Sequence, residues 1–327
     1  MRVSVIGAGS FGTAIAQTIS SSVSEVFLFG RDINVLRSIN KHGVNQKYHP
    51  FIHLNPNIRA SPISKNARLL QDSDLIVFSV PSGVTREVTR ALSHYLEEAT
   101  VISTAKGVEC PSRYTMSKVI TDETNNVQIS SFSGPTFADE LIQGVFSCAT
   151  LGIDKQNDKN VITEAFGAQN LLLDSSHDVE GVELCGILKN IYAIATGIFD
   201  ATVTGNNQHY AFLSLCFKEM GCILEKASSD RNLVSKFCAH GDLHLTANSD
   251  KSRNRILGFV VGKLGIAPKD VKSKAVVEGV KSAKALQKTS DLLGLDTPII
   301  SFVNSCFDDP TRVREYVKEL LSKYSSS

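Results

Sequence analysis

The sequence predicts a doubly wound α/β domain followed by an all-helical domain. Three observations carry this reading. A short strand runs directly into G-x-G-x-x-G and then a helical stretch. Short β-branched runs alternate with helical patterns through the first half of the chain, and strand signals become scarce from about residue 179.

The elements follow in order. Met1–Ile6 reads as a buried strand, Gly7-Ala-Gly-Ser-Phe-Gly12 as a turn and Thr13–Gln17 as the start of a helix. Gly7 permits the tight turn, Gly9 lets backbone approach a pyrophosphate, and Gly12 lets helix and strand pack closely. The unpaired N–H groups and positive end of the helix favour phosphates there. Strand and helix context makes this a Rossmann-type dinucleotide fingerprint rather than an empty glycine turn. Further strands are expected at Glu25–Phe29, Asp74–Val80, Thr100–Ala105, Val127–Phe132, Ser147–Ile153 and Asn170–Leu173. The stretch His42–Ser64, with Tyr48, His49 and Pro50, is a long, poorly periodic connection, either functional or a surface excursion. The alternation implies a parallel sheet with helices on both faces, so ligands belong beyond the carboxyl ends of the strands. Those ends carry Gly7–Gly12, Gly30–Asp32, Val80–Ser82, Lys106-Gly107 and Gly134-Pro135-Thr136.

Helical patterns follow at Val179–Phe199 and at about 208–227, 230–238, 252–263, 269–274, 279–294 and 311–324. The boundary near 175–182 gives a dinucleotide-binding domain, 1–178, and a helical substrate and catalytic domain, 179–327.

Composition narrows the function classes. A hydrophobic content of 42%, a charged content of 20% and a net charge of +1 describe an ordinary enzyme. No global field is available to hold nucleic acid or an anionic membrane. No leader is read at the N-terminus, and no apolar run is read as long enough to span a membrane, so no integral membrane segment is expected. Seven scattered cysteines without a C-x-x-C pair point to reduced thiols and the cytoplasm.

Cofactor choice turns on the end of the second strand. Asp32, twenty residues past Gly12, suits the ribose hydroxyls of NAD. Arg31 suits a 2′-phosphate, so NAD and NADP both stand, with NADP slightly favoured; a surface ion pair with Asp32 or Glu25 is the bland alternative. Lys106 follows the fourth strand beside Gly107, at a crevice position or on the surface. Lys189 stands in an apolar helix with small residues, Cys185 and Gly186, one turn before it. Burial lowers an amine's pKa and would make Lys189 an acid or base near neutrality, unless it snorkels outward. Ser252, Arg253, Asn254 and Arg255 gather donors at a helix start, which suits a phosphate or a plain N-cap. His240 and His244 are separated by Gly241 and Asp242, so no metal site is expected.

Several segments together resemble the bacterial-type NAD(P)-dependent glycerol-3-phosphate dehydrogenases. They are Gly7-Ala-Gly-Ser-Phe-Gly-Thr-Ala14, Val80-Pro-Ser82, Ala105-Lys-Gly107, Ser133-Gly-Pro-Thr-Phe-Ala-Asp-Glu-Leu141, Gly181-Val-Glu-Leu184 with Leu188-Lys-Asn190, Gly241-Asp-Leu243, Ser252-Arg-Asn-Arg255 and Val276-Val-Glu-Gly279. The resemblance implies reversible hydride transfer between NAD(P)H and dihydroxyacetone phosphate, giving sn-glycerol 3-phosphate for glycerophospholipid synthesis. It implies that Ser10, Phe11 and Arg31 contact the dinucleotide, that Lys106 touches cofactor and substrate, and that Ala138 lines the nicotinamide. Gly134 and Thr136 would hold substrate, and Lys189 would give and take the proton. Asp242, Ser252, Arg253 and Asn254 would complete the substrate site, with Arg253 also reaching the cofactor, and Val276 and Glu278 would close over it. A homodimer is the expected assembly.

The chain departs from the pattern at Ala201, at Gln208-His-Tyr-Ala-Phe212 and at His240, which bears on helix packing and the dimer contact. Two other readings compete. A related dehydrogenase of another small hydroxy acid would not need Ser252-Arg-Asn-Arg255. A non-catalytic dinucleotide sensor would be expected to have lost Lys106, Lys189 and Asp242, which are all present.

Overall fold

The computed structural model describes residues 1–97, 99–110, 112–124, 129–153, 159–168, 170–271 and 278–325. The chain folds as two compact units: Met1–Ala105 with Thr115–Glu183, and Lys106–Tyr114 with Leu184–Ser327.

The first unit is built on one eight-stranded sheet. Its strands are β1 (Arg2–Ile6), β2 (Glu25–Gly30), β3 (Ile58–Pro62), β4 (Leu75–Phe78), β5 (Val101–Ser103), β6 (Ile129–Ser133), β7 (Ser147–Gly152) and β8 (Leu171–Ser176). Their order is β3-β2-β1-β4-β5-β6-β7-β8. The chain winds one way from β1 to β3 and the other way from β4 onward. The direction therefore switches between β1 and β4, where such sheets bind ligands. Val3, Val5, Leu75 and Val77 are fully buried, as expected of strands covered on both faces.

Two expectations change here. The sheet is not wholly parallel, because β6 and β7 run antiparallel. The connection between them carries only the four-residue helix Ala138–Leu141. The expected connection His42–Ser64 contains β3, which pairs with β2 in parallel. Of the strand expected at 127–132, residues 127 and 128 lie outside the described residues, and β6 begins at Ile129.

Leu184–Ser327 is helical throughout its described elements. Val179–Thr202 runs from the end of the first unit into the second. This 24-residue helix does reach the length and apolarity of a membrane span, with mean hydropathy 1.4, contrary to the sequence reading. Its most apolar stretch is 94% buried within the protein, so its apolarity is that of a core helix. The helix Arg253–Leu264 crosses it at glycines. A Cβ on Gly258 would stand 2.1 Å from the Ile194 carbonyl oxygen, and one on Gly197 would stand 2.1 Å from that of Arg255.

The atypical segment after Gly205 packs without conflict. Phe212 stacks on Phe199 at 4.2 Å, and His209 bridges the Asp200 carboxylate and Asn248 Oδ1, each at 2.8 Å. The helix expected at 230–238 is a short 3₁₀ turn, Leu233–Ser235, and a π-helical turn, Phe237–Gly241. The expected 269–274 helix is seen as a turn at Pro268–Asp270, and residues 272–274 lie outside the described residues. The helices Asp242–Asn248 and Pro298–Asp308 were not anticipated.

Candidate active site

In the first unit, β1 ends in the glycine turn, and the helix Ser10–Ile19 starts from it. Gly7 has φ of +121°, and a Cβ there would sit 2.3 Å from the Ser79 carbonyl oxygen, beyond the end of β4. A Cβ on Gly12 would sit 1.9 Å from the Gly7 carbonyl oxygen. The turn thus seals against β4 at the switch point. Gly9 differs: nothing lies within 4 Å of where its Cβ would be. It caps the helix without any side-chain hydrogen bond. Open space beside the backbone and a helix start without a side-chain cap fit a dinucleotide's pyrophosphate.

Around this turn, Phe11 and Ala138 pack on the same core, and their helices touch. The Phe11 ring lies 6.4 Å from that of Phe132. Gly134 is pressed against β7, where a Cβ would be 2.5 Å from the Cys148 carbonyl oxygen. Thr136 is buried and donates to the Gly134 carbonyl at 3.1 Å.

At the end of β2, Asp32 caps the helix Ile33–His42 by accepting from the Asn34 and Val35 N–H groups. It also pairs with Lys47 at 3.0 Å. Glu25 is engaged by Arg2 and Arg59. Exposed Arg31 has no ion pair among the described residues, so the surface-pair alternative is not formed.

In the second unit, three charges meet. Lys189 is buried, with 7% of its surface exposed, and Asp242 with 2%. Asp242 Oδ1 lies 3.2 Å from Lys189 Nζ, and Oδ2 lies 2.5 Å from Lys106 Nζ. Burial drives the Lys189 ammonium down to about 8; Asp242 resists that fall and Lys106 adds to it. Burial alone would push the Asp242 carboxyl up, but the two lysines hold it below its ordinary value. Lys189 does not snorkel: its ammonium donates to Thr246 Oγ1 at 2.9 Å.

Two polar residues that sequence reasoning missed complete the arrangement. Thr246, one helical turn after Asp242, accepts from Lys189 and donates to Asp242 Oδ1 at 3.2 Å. Asn190 donates to the Lys106 carbonyl at 3.0 Å and accepts from Asn254 Nδ2 at 2.9 Å. The available signals were the i+4 spacing from Asp242 and a second polar residue beside Lys189 in a buried helix. The π-helical turn Phe237–Gly241 runs directly into Asp242, and such turns are frequent at functional sites.

The donor cluster divides. Ser252 Oγ caps the helix Arg253–Leu264 by accepting from Arg255 N–H. Arg255 is consumed by Asp200 at 3.0 Å and Asp250 at 2.6 Å. Arg253 is exposed, and Asn254 Oδ1 is buried without a hydrogen-bond partner among the described residues. Glu278 begins the helix Glu278–Leu293, and Val276 lies outside the described residues.

A dinucleotide turn at the sheet's switch point fits one class of protein, the nicotinamide-dependent dehydrogenases. The chain belongs to the NAD-dependent glycerol-3-phosphate dehydrogenase family. Residues 2–159 match that family's N-terminus and residues 178–318 its C-terminus. A glycerol-3-phosphate dehydrogenase (NAD(P)+) of Methanothermobacter thermautotrophicus is 40% identical over 325 residues, covering 99% of each chain. One of Teredinibacter turnerae is 33% identical, covering 98% of this chain and 95% of its own. The crystal structure of glycerol-3-phosphate dehydrogenase from Coxiella burnetii superposes with a TM-score of 0.86 at 25% identity, covering 98% of both chains.

Proposed function

We propose that the protein catalyses reversible reduction of dihydroxyacetone phosphate to sn-glycerol 3-phosphate with NADH or NADPH, supplying glycerophospholipid synthesis. The single observation that carries the chemistry is Lys189, held near a pKa of 8 between burial and Asp242. An amine with that pKa exchanges a proton readily near neutrality.

Residues 1–178 serve the dinucleotide and residues 179–327 the substrate and catalysis, with Lys106 acting in the second group. Gly7, Gly9, Ser10, Phe11 and Gly12 would hold the dinucleotide with Arg31, Ala138, Arg253, Val276 and Glu278. When bound, the nicotinamide supplies or accepts the hydride. Lys189 donates its proton to the oxygen developing at C2, and Lys106 lowers the energy of that negative charge. Asp242 keeps both ammonium groups aimed, and Thr246 restricts Lys189 to one direction. In the reverse direction, neutral Lys189 takes the hydroxyl proton. Ser252, Arg253 and Asn254, with Gly134 and Thr136, fix the substrate. Binding energy from the non-reacting phosphate then orients the carbonyl. Arg31, which no carboxylate engages among the described residues, supports NADP beside NAD.

The enzyme is a cytoplasmic homodimer in this reading. Seven scattered cysteines, with no disulfide among the described residues, support a reducing compartment, and the dimer, resting on family membership, is tested by light scattering.

The test of the reaction is NADH and NADPH oxidation followed by absorbance with dihydroxyacetone phosphate. Activity with either cofactor is expected, and none with both refutes the proposal. Lys189→Ala should lower kcat by about two orders of magnitude or more, as expected for loss of a general acid. A near-native kcat removes Lys189 from the proton transfer.

A further inference from the structure

The loop that follows the helix Ile33–His42 folds back onto the glycine turn. It is closed at its base by Leu54 N–H donating to the Gly43 carbonyl at 2.7 Å. A tight turn within it places two buried side chains, Asn45 and His49, against the first turn of the helix Ser10–Ile19. Asn45 Nδ2 donates to Thr13 Oγ1 at 2.8 Å, and Thr13 Oγ1 donates to the Gly9 carbonyl at 2.7 Å. His49 Nε2 lies 2.9 Å from the Ser10 carbonyl oxygen and 3.2 Å from Ser10 Oγ.

The 2.9 Å contact with a carbonyl oxygen selects the His49 tautomer. A carbonyl oxygen only accepts, so Nε2 carries a hydrogen. The same N–H then faces Ser10 Oγ, which serves as a second acceptor. The Ser10 hydroxyl hydrogen is left with no acceptor from His49 and is free to donate outward. Ser10 stands in the first turn of the helix, beside the open space at Gly9.

We propose that His49 is a positioning residue for dinucleotide binding: its Nε2–H holds Ser10 so that the hydroxyl hydrogen is presented to the pyrophosphate. The inference rests on the reading of Ser10 as a dinucleotide contact and adds a residue that acts through it. It concerns binding rather than proton transfer, so its mark is a change in dinucleotide affinity with the chemical step unchanged.

The experiment is fluorescence titration of the purified full chain with NADH, alongside steady-state kinetics. The variants are His49→Ala, His49→Asn, His49→Gln, Ser10→Ala and Ser10→Ala combined with His49→Ala. Loss of one hydrogen-bonding partner should raise the NADH dissociation constant about three- to tenfold in His49→Ala. His49→Asn, whose amide ends short of Ser10, should behave alike, and His49→Gln, whose amide reaches it, should recover most of the affinity. The KM for NADH should rise, with kcat and the KM for dihydroxyacetone phosphate unchanged. In the Ser10→Ala background the further effect of His49→Ala should be smaller than in the native chain.

Native affinity in both His49→Ala and His49→Asn overturns the proposal. So does a His49→Gln variant as weak as His49→Asn, or an undiminished effect in the Ser10→Ala background. If His49→Ala does not fold, the contrast between Asn and Gln decides alone. Unchanged NADH affinity in Ser10→Ala refutes the reading of Ser10 itself. Weakened binding in Ser10→Ala with native binding in the His49 variants refutes only the role of His49.

Discussion

Replacing Asp242 with Asn should move the pH dependence of both reaction directions together toward lower pH. Asp242 is buried, with Oδ1 3.2 Å from Lys189 Nζ and Oδ2 2.5 Å from Lys106 Nζ. Lys189 is held near 8, about 2.5 units below its ordinary 10.5, a cost of roughly 3 kcal/mol for the charged form. The carboxylate is what prevents a deeper fall. At an effective dielectric of about 20, a unit charge at 3.2 Å contributes at most about 5 kcal/mol. Asn keeps the shape and removes the charge, leaving two lysines facing one another. A downward shift of at least about one pH unit, or about 1.4 kcal/mol, is therefore expected. The assay is initial rate against pH in both directions. Native triose phosphate reduction needs protonated Lys189 and should fall as pH rises through about 8, and glycerol phosphate oxidation needs the neutral amine and should rise through the same value. Asp242→Asn should move both limbs down, and Lys106→Met should move both up, because it removes a neighbouring cation. Limbs of the same sign in the two directions, or an unmoved midpoint in Asp242→Asn, would refute the reasoning.

Three further outcomes are expected. Arg31→Ala should raise the KM for NADPH about tenfold, in line with one charge-assisted hydrogen bond, and the KM for NADH far less; equal effects would show that Arg31 does not read the 2′-phosphate. Burial raises the Glu219 carboxyl from 4.5 to about 7, so its contribution to stability is complete below about 4.5 and is lost as pH rises through about 7. Glu219→Gln should flatten that part of the stability profile and lower stability by about 1–3 kcal/mol, because a backbone N–H loses its acceptor; urea unfolding on either side of the shifted midpoint reads both. Gly258→Ala would place a Cβ 2.1 Å from the Ile194 carbonyl oxygen, between two helix backbones. It should cost about 1–3 kcal/mol or more, and a native melting temperature would contradict the close crossing.

What the sequence disclosed was local. The glycine turn, the strands around it and the lysine in an apolar helix are each specified by neighbours a few residues away. What stayed hidden depended on distant partners. β3 is an edge strand whose Ala60 N–H and carbonyl are paired by the side-chain amide of Asn40, at 2.9 and 2.8 Å. The helix Pro298–Asp308 has no side-chain cap at Thr297. Its first N–H groups, on Ile299 and Ile300, are accepted by Glu219, at 2.7 and 3.2 Å. Neither arrangement leaves a pattern in a short window. In the site, Lys189 was legible because a charge in an apolar helix is costly unless used. Asp242 entered only through the family resemblance. Thr246 and Asn190 left only a spacing and a neighbour as signals, because an ordinary polar residue becomes informative once its partner is known.

Lys106 lies within the stretch 2–159 that matches the family's N-terminal half, yet Lys106–Tyr114 folds with the helical unit. A chimera joined near residue 178 would therefore inherit the two sides of the Lys106–Asp242 pair from different parents. The natural crossover points for exchanging parts between relatives are three: after Ala105, after Tyr114 and after Glu183. In folding, the short insert 106–114 belongs with the helices, not with the sheet that precedes it.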